Sequence, residues 1–126
     1  MSDRDLPDLR RAQDGAVLTL TLDRPDARNA YSEDMVTSLV RALDDAERDD
    51  SVRCLILTGA GPALSAGGDL KRMLNHEGMF AGAPGELRRR YIDGIQRIPR
   101  RLALLDKPIV AAINGPAIGA GLDLAC

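Results

Sequence analysis

Apolar residues recur along the chain at two different spacings, which predict strands and helices in turn. In residues 17–22 every second side chain is Leu, so one face of this segment is fully apolar, as in a half-buried strand. Asp14-Gly15 precedes this segment, and Asp-Gly between two extended runs predicts a hairpin. The strands that we expect are Leu9–Gln13, Ala16–Leu22, Val52–Thr58 and Ile109–Ile113.

A helical period follows the predicted hairpin. Met35, Val36, Leu39, Val40 and Leu43 share one helical face, and the helix is expected to run to about Arg48. Ser32 is its predicted N-cap, with Glu33 and Asp34 in the first turn, where the helix dipole favours negative charge.

The second half of the chain predicts shorter helices. A short helix is expected at Leu70–Asn75 and a mobile Gly-rich surface loop at His76–Gly85. An amphipathic helix is expected from Glu86 onward, and Pro99 should kink or split it. The apolar positions that define this last helix are Leu87, Tyr91, Ile95, Ile98, Leu102 and Leu105.

The order of strand, helix and strand indicates an α/β domain with a mixed or parallel sheet covered by helices. The length of 126 residues fits one domain, and no internal repeat or linker divides it. The 17 basic and 19 acidic residues give a formal charge of −2, which argues against a dedicated nucleic-acid binder. The scarcity of aromatic residues, with 2 Tyr and 1 Phe, argues against a base-stacking platform.

The compartment is predicted from what the sequence lacks. The start, Met-Ser-Asp-Arg-Asp, is unlike a signal peptide, and no apolar run has the length of a membrane span. Cys54 and Cys126 are too few and too far apart to predict a disulfide framework or a metal site. We therefore expect a cytoplasmic protein that binds neither a membrane nor a metal.

Small residues cluster at two junctions between a strand and a helix, at residues 64–70 and 114–123. Small side chains let a backbone approach a ligand closely, and the first turn of a helix has unpaired N–H groups. Two such junctions facing one another could direct two N–H groups at one oxygen, as in an oxyanion hole. The alternative for Ala66–Asp69 is a tight turn whose small residues only permit close packing.

Four stretches in register resemble the enoyl-CoA hydratase/isomerase (crotonase) family, and the likeness covers Ala16–Cys126, the N-terminal half of such a protein. The stretches are Leu22–Ala30 (LDRPDARNA), Cys54–Gly59 (CLILTG), Ser65–Lys71 (SAGGDLK) and Lys107–Gly115 (KPIVAAING) with its continuation to Asp123.

The resemblance implies an α/β fold of repeated ββα units wound as a spiral, here ending before the C-terminal helical part. Residues 1–126 would be the N-terminal part of a single crotonase-like domain, with residues 1–8 as a flexible tail. It also implies an acyl-CoA thioester substrate, a homo-trimer or hexamer for the full-length form, and no separate cofactor, because coenzyme A is part of the substrate.

The resemblance also assigns roles to particular positions. Gly68 and Ala120 match the residues whose backbone N–H groups form the family's oxyanion hole, and Asp123 matches a catalytic acid/base position. The residues that match the family's coenzyme A-binding segments are Arg28, Ala66, Asp69, Leu70 and Lys71. Lys71 could meet a phosphate as a point charge.

The implied chemistry is the stabilisation of a thioester enolate while a carboxylate moves a proton or assists water addition. Asp123 is one methylene shorter than the glutamate of the family's hydratases and resembles the dienoyl-CoA isomerase branch. The second hydratase glutamate is absent from these 126 residues, so hydration and isomerisation both remain open. The alternatives are a non-catalytic fragment that binds acyl-CoA or a subunit, and a CoA-thioester hydrolase or synthase of the same fold.

Several residues have a simpler interpretation. Asp123 could merely cap a helix, although Leu122 and Leu124 beside it predict partial burial. His76 is interpreted as a solvated loop residue. The arginine-rich helix is interpreted as a solvated face, with contact to coenzyme A phosphates, a subunit or RNA as alternatives; its arginines are Arg88, Arg89, Arg90, Arg97, Arg100 and Arg101.

Overall fold

Four strands form one mixed sheet, and five α-helices follow or separate them, in the computed structural model, which describes residues 5–126. The strands are β1 Leu9–Asp14, β2 Val17–Leu22, β3 Cys54–Gly59 and β4 Ile109–Ala111. The helices are α1 Glu33–Arg48, α2 Leu70–Leu74, α3 Pro84–Asp93, α4 Arg97–Ala103 and α5 Ala120–Ala125. Short 3-10 turns lie at Pro25–Ala27 and Gly78–Phe80. The predicted α/β class is confirmed.

The sheet order is β1-β2-β3-β4, with the first pair antiparallel and the other two pairs parallel. The hairpin closes at Asp14, which pairs with Val17, so Ala16 belongs to the turn and not to the strand as predicted. Gly15 has a φ of +55°, a conformation that glycine adopts readily, and this explains the turn at this position.

Helix α1 packs on the sheet through the apolar face that the sequence predicted. Its buried side chains include Met35, Leu39 and Leu43, which lie in one core with Leu18 and Leu20 of β2. Ser32 is the N-cap: its Oγ accepts a hydrogen bond from the Met35 N–H at 2.9 Å. Both the helix end at Arg48 and the cap are confirmed.

The predicted amphipathic helix is divided, but not at Pro99. Helix α3 ends at Asp93 and α4 begins at Arg97, so the break lies at Gly94–Gln96. Pro99 lies in the first turn of α4, where a missing N–H removes no intrahelical hydrogen bond. The predicted split is confirmed, and its predicted position was wrong.

The segment His76–Gly85 was predicted as a surface loop, and part of it is buried. Met79 and Phe80 belong to the hydrophobic core, in the 3-10 turn Gly78–Phe80. The Glu33 carboxylate secures this turn by accepting from the Met79 N–H at 2.7 Å. The glycines dominated the sequence pattern, whereas the two apolar residues decide where the turn packs.

Of the predicted tail at residues 1–8, residues 1–4 lie outside the described residues. Leu6 pairs with Leu9 through two backbone hydrogen bonds of 2.9 and 3.0 Å. The Asp8 carboxylate accepts from the Ser32 hydroxyl at 2.5 Å and lies 3.6 Å from the Arg24 guanidinium. Within residues 5–126, no helix is both long and apolar enough to cross a membrane.

Candidate active site

The two small-residue junctions begin at the same end of the sheet, where strands β3 and β4 both finish. Strands β3 and β4 are parallel neighbours, so their carboxyl ends lie side by side. One junction runs from the end of β3 towards α2, and the other runs from the end of β4 towards α5. Parallel pairing therefore brings the two segments that the sequence singled out into contact.

Backbone hydrogen bonds join these two junctions directly. Ser65 and Ala117 form an isolated parallel bridge. The Leu64 N–H donates to the Pro116 carbonyl, and the Ile118 N–H donates to the Ser65 carbonyl, each at 3.0 Å. The junctions are thus fixed in register as well as adjacent.

The glycines of the junctions permit this close approach. Gly67 has a φ of +78°, and a Cβ on it would lie 2.6 Å from the Ile118 carbonyl oxygen and 3.0 Å from the Ala120 nitrogen. A Cβ on Gly121 would collide with the backbone of Ser65. The tight-turn interpretation of Ala66–Asp69 is therefore correct as far as packing goes, and it also places Gly67 beside Ala120.

A third segment, residues 28–31, braces the first junction. The Ala66 N–H donates to the Arg28 carbonyl at 2.9 Å. Ser65 is fully buried; its Oγ donates to the Asn29 carbonyl at 2.8 Å and accepts from the Gly67 N–H at 3.1 Å. The Ser65 hydroxyl therefore has a structural role, and both of its hydrogen bonds hold the turn that leads to Gly68.

The N–H groups of Gly68 and Ala120 donate no hydrogen bond to any residue between 5 and 126. Ala120 is the first residue of α5, a position at which an α-helix leaves its N–H unpaired. In both peptide units the carbonyl on the opposite side is engaged. Gly67 O accepts from the Tyr31 N–H at 2.8 Å, and Gly119 O accepts from the N–H groups of Leu122 and Asp123 at 2.9 and 3.1 Å. An engaged carbonyl polarises its peptide and strengthens the N–H as a donor.

Asp123 lies on α5, one turn beyond Ala120, and both residues line an apolar cavity of about 230 Å³. The other lining residues are Tyr31, Tyr91, Ile95, Gln96, Ile98, Pro99, Leu102 and Leu124. The predicted partial burial of Asp123 was wrong: Leu124 is buried, whereas Leu122 and Asp123 are exposed. A helix of one and a half turns buries a single face, and Leu124 occupies that face.

The residues predicted beside coenzyme A are divided between two places. Arg28 and Ala66 line one cleft of about 310 Å³, together with Pro62, Ala63, Pro116 and Ile118. Asp69 is the N-cap of α2, accepting from the Arg72 N–H at 3.2 Å, and its carboxylate lies 3.7 Å from the Arg24 guanidinium. Leu70 and Lys71 follow it on the exposed surface of α2.

The arginine-rich segment is only in part the solvated face that was predicted. Arg101 forms ion pairs with Asp44 at 2.5 Å and Glu47 at 3.3 Å and thereby attaches α4 to α1. Arg90 donates to the carbonyls of Gly78 and Ala81 at 3.0 and 2.8 Å. Arg90 is exposed all the same, as are Arg88, Arg89, Arg97 and Arg100. His76 is also exposed.

Two structurally important residues were not singled out by the sequence pattern. Asn29 is fully buried at a φ of +55°, a conformation that Asn tolerates better than most residues. Tyr31 is 2% exposed and directly precedes the N-cap Ser32. An apolar residue before an N-cap is a known packing position, which is the one signal that could have indicated Tyr31.

The solved structures that this chain resembles have the crotonase fold. An enoyl-CoA hydratase/isomerase from Mycobacterium paratuberculosis superposes with a TM-score of 0.80 at 35% identity, over 96% of this chain and 47% of that one. An enoyl-CoA hydratase/carnithine racemase from Magnetospirillum magneticum gives a TM-score of 0.83 at 31% identity, over 94% of this chain and 43% of that one.

Sequence comparison gives the family. Residues 12–126 match the enoyl-CoA hydratase/isomerase family, and this chain belongs to it. It is 43% identical over 110 residues to 1,2-epoxyphenylacetyl-CoA isomerase of Escherichia coli, covering 86% of this chain and 40% of the relative. It is 42% identical over 118 residues to a putative enoyl-CoA hydratase of Thermus thermophilus, covering 92% of this chain and 45% of the relative. The chain thus spans less than half the length of these two curated relatives.

Proposed function

We propose that this chain carries the oxyanion-hole half of an acyl-CoA-processing active site of the hydratase/isomerase type. The observation that supports it best is the pair of N–H groups of Gly68 and Ala120. Neither donates to a residue within 5–126, and both belong to junctions bound to one another beside an apolar cavity. A thioester oxygen between these two donors would gain charge as an enolate forms, and each donor would then contribute roughly 3–4 kcal/mol to the transition state.

Asp123 is the proposed acid/base. It lines the same cavity as Ala120, so a carboxylate faces the space into which an acyl chain would extend. When a proton leaves the thioester α-carbon, the carboxylate takes it, and the electron pair moves into the enolate oxygen. Returning that proton to a different carbon completes an isomerisation. Addition of water to a conjugated double bond passes through the same enolate, so hydration uses the same donors.

Coenzyme A is proposed to lie along the cleft that contains Arg28 and Ala66, and Lys71, exposed on α2, is the proposed cation for one of its phosphates. No separate cofactor is needed in this proposal, because coenzyme A arrives with the substrate. A homo-trimer or hexamer is proposed for the whole protein. The exposed apolar side chains Val110, Ile113, Ile118 and Leu122 are consistent with burial in such an assembly.

The test is turnover of 2-enoyl-CoA, dienoyl-CoA and 1,2-epoxyphenylacetyl-CoA thioesters by the purified chain, with product identity determined by mass spectrometry. The last substrate is included because of the name of the Escherichia coli relative. Asp123→Asn is expected to lower kcat by about 100-fold or more while thioester binding persists. Asp106→Asn, an exposed carboxylate that lines neither cavity, is the matched control.

A second candidate function is thioester binding without catalysis. It is favoured by the exposure of Asp123, which leaves the proposed acid/base in contact with solvent. This candidate predicts measurable affinity for an unreactive acyl-CoA thioether and no turnover of any of the three substrates. Absence of both binding and turnover would reject the two candidates together.

The coenzyme A cleft has its own test. Arg28→Gln combined with Lys71→Gln is expected to weaken acyl-CoA binding by about 10-fold, because each change removes a cation available to phosphate. Arg53→Gln is the control, since Arg53 is exposed and precedes β3, at the opposite end of that strand from the junctions. Equal affinity of the double variant and the control would place coenzyme A elsewhere.

A further inference from the structure

Tyr31 donates hydrogen bonds to both junctions of the proposed oxyanion hole, one from its backbone N–H and one from its side-chain hydroxyl. It lies between the 3-10 turn Pro25–Ala27 and α1, and only 2% of its surface is exposed. Its backbone N–H donates to the Gly67 carbonyl at 2.8 Å, and its phenolic hydroxyl donates to the Ala120 carbonyl at 3.1 Å. These two contacts join segments that are far apart along the chain.

The backbone contact acts on the first proposed donor. The carbonyl of Gly67 and the N–H of Gly68 belong to one planar trans peptide unit, so fixing the oxygen fixes the direction of the N–H. The bond from Tyr31 also polarises that peptide unit, which strengthens the Gly68 N–H as a donor. Because α1 begins two residues after Tyr31, this peptide is in effect anchored to the longest helix.

The side-chain contact acts on the second proposed donor. Ala120 is the first residue of α5, and its carbonyl oxygen accepts from the Tyr31 hydroxyl. Helix α5 has only 6 residues, too few to hold its place by its own hydrogen bonds, so tertiary contacts decide where its first turn lies. The Ala120 N–H and the Asp123 carboxylate both belong to that turn.

The environment keeps the phenol in its donating form. Burial raises the pKa of Tyr31 above its ordinary value of 10.0, and the negative charge of Asp123 raises it further. The hydroxyl therefore stays protonated at neutral pH. Tyr31 is accordingly a donor to Ala120 and not a base.

We propose that Tyr31 is a positioning residue that holds the Gly68 and Ala120 N–H groups at a fixed separation, so that both can contact one thioester oxygen. This inference rests on the proposed function. It adds a residue that takes no part in the proton transfer. Any loss of rate in a Tyr31 variant is then expected to come from a small displacement of α5.

Tyr31→Phe tests the proposal, because it keeps the ring and the backbone bond to Gly67 and removes only the hydroxyl. Thr58→Val is the matched control: it likewise removes a hydroxyl that donates to a backbone carbonyl, that of Ala112 at 2.8 Å, and Thr58 lines neither the cavity nor the cleft. Tyr31→Phe is expected to lower kcat by about 10- to 100-fold with KM changed less than about 3-fold, since a displacement of about 1 Å can cost this much. The pH at which kcat falls should not move, because the proton is carried by Asp123.

A second measurement does not depend on turnover. Polarisation of a bound thioester by the two donors lowers its carbonyl stretching frequency, which Raman difference spectroscopy of a bound aryl-acryloyl-CoA reports. Tyr31→Phe is expected to reverse a large part of that shift, and Thr58→Val is expected to leave it as in the unsubstituted protein. If Tyr31→Phe does not fold, 3-fluorotyrosine at residue 31 changes the strength of the phenolic donor with little change of shape and should still move the frequency.

The outcomes distinguish the proposed oxyanion hole from the positioning role of Tyr31. A thioester that binds without any carbonyl shift in the unsubstituted protein overturns the proposed oxyanion hole and the role of Tyr31 with it. A normal shift and normal kcat that both persist in Tyr31→Phe overturn the positioning role alone.

Discussion

Asn29 and Asn114 donate hydrogen bonds to the same carbonyl oxygen, that of Ala63, at 3.0 and 3.1 Å. Asn29 also donates to the Ala60 carbonyl at 2.9 Å and accepts from the Arg24 N–H at 2.8 Å. The oxygen of Asn114 accepts from the Gly59 N–H at 3.2 Å. The loop after β3 is therefore held from both sides by carboxamides, and this loop carries the chain into the first junction.

Removing the Asn29 carboxamide is expected to be costly, because Asn29 is fully buried and its loss leaves several backbone groups without partners. Asn29→Ala should lower the free energy of unfolding by about 2–4 kcal/mol, and Asn114→Ala, at an exposed residue, by about 1 kcal/mol. Urea denaturation measures both. The control is Asn75→Ala, an exposed residue whose side chain makes no hydrogen bond to residues 5–126.

The same two substitutions should be coupled. Each single variant leaves the other carboxamide bound to the shared Ala63 oxygen. The stability lost in the double variant should therefore differ from the sum of the two single losses by about 0.5 kcal/mol or more. A double-mutant cycle gives this coupling energy. Strict additivity would show that the shared oxygen has no energetic consequence.

Gly67 should tolerate no side chain. Gly67→Ala forces a φ of +78° on alanine and drives its Cβ against the Ile118 carbonyl, so a loss of about 1–3 kcal/mol is expected. Gly85→Ala is the matched control, since a Cβ there meets nothing within 4 Å and Gly85 lies in α3. That change should be neutral or stabilising by about 0.5 kcal/mol. Thermal unfolding compares the two, and equal effects would contradict the close approach of the junctions.

Acid should weaken the attachment of α2 and the 3-10 turn to α1. Burial by itself would raise the pKa of Glu33, but hydrogen bonds from Arg72 and Met79 outweigh it and hold the pKa below its ordinary value of 4.5. A carboxyl with a lowered folded pKa contributes stability above its unfolded pKa, and that contribution is lost as pH falls through the folded value.

Glu33→Gln is therefore expected to lower stability at pH 7 by less than about 1 kcal/mol, since the pair is partly exposed, and the deficit should shrink below pH 4.5. Asp34→Asn is the control: it removes a carboxylate from the same helical turn, and the Asp34 side chain makes no hydrogen bond or ion pair with residues 5–126. Denaturation at a series of pH values tests this. A deficit that stays constant down to pH 3 would contradict the role of the ion pair.

Arg101 should contribute more to stability than the neighbouring Arg100. The Arg101 side chain is 16% exposed, and its hydrogen bonds to Asp44 and Glu47 of α1 raise its pKa, whereas Arg100 is exposed. Arg101→Gln should lower the free energy of unfolding by about 1 kcal/mol and Arg100→Gln by less than about 0.3 kcal/mol. Indistinguishable unfolding curves of the two variants would reject the role of this ion pair.

Helix α4 also supplies Ile98 and Leu102 to the cavity. Arg101→Gln should therefore also weaken binding of long acyl thioesters.

The chain is expected to self-associate. Val110, Ile113, Ile118 and Leu122 are between 50% and 62% exposed, and they lie close together along the chain from β4 to α5. Apolar side chains grouped in this way favour association over a free monomer in water. Sedimentation velocity should show association that rises with concentration and falls in Val110→Thr/Ile113→Thr/Ile118→Thr. Leu74→Gln/Leu104→Gln, at other exposed apolar positions, is the control. A monomer that melts sharply at every concentration would count against this prediction.

The sequence by itself determined the local elements and the segments that carry chemistry. Alternating leucines fixed the face of β2, a helical period and Ser32 fixed α1, and the small residues around Gly68 and Ala120 marked both junctions, because each of these signals lies within a few consecutive residues. The tertiary structure decided the rest. Parallel pairing of β3 with β4 brought the junctions together, Tyr31 and Asn29 joined them to distant segments, and the single buried face of α5 left Asp123 exposed. Contacts between residues so far apart along the chain leave no periodic trace in it, and for that reason only the folded structure reveals them.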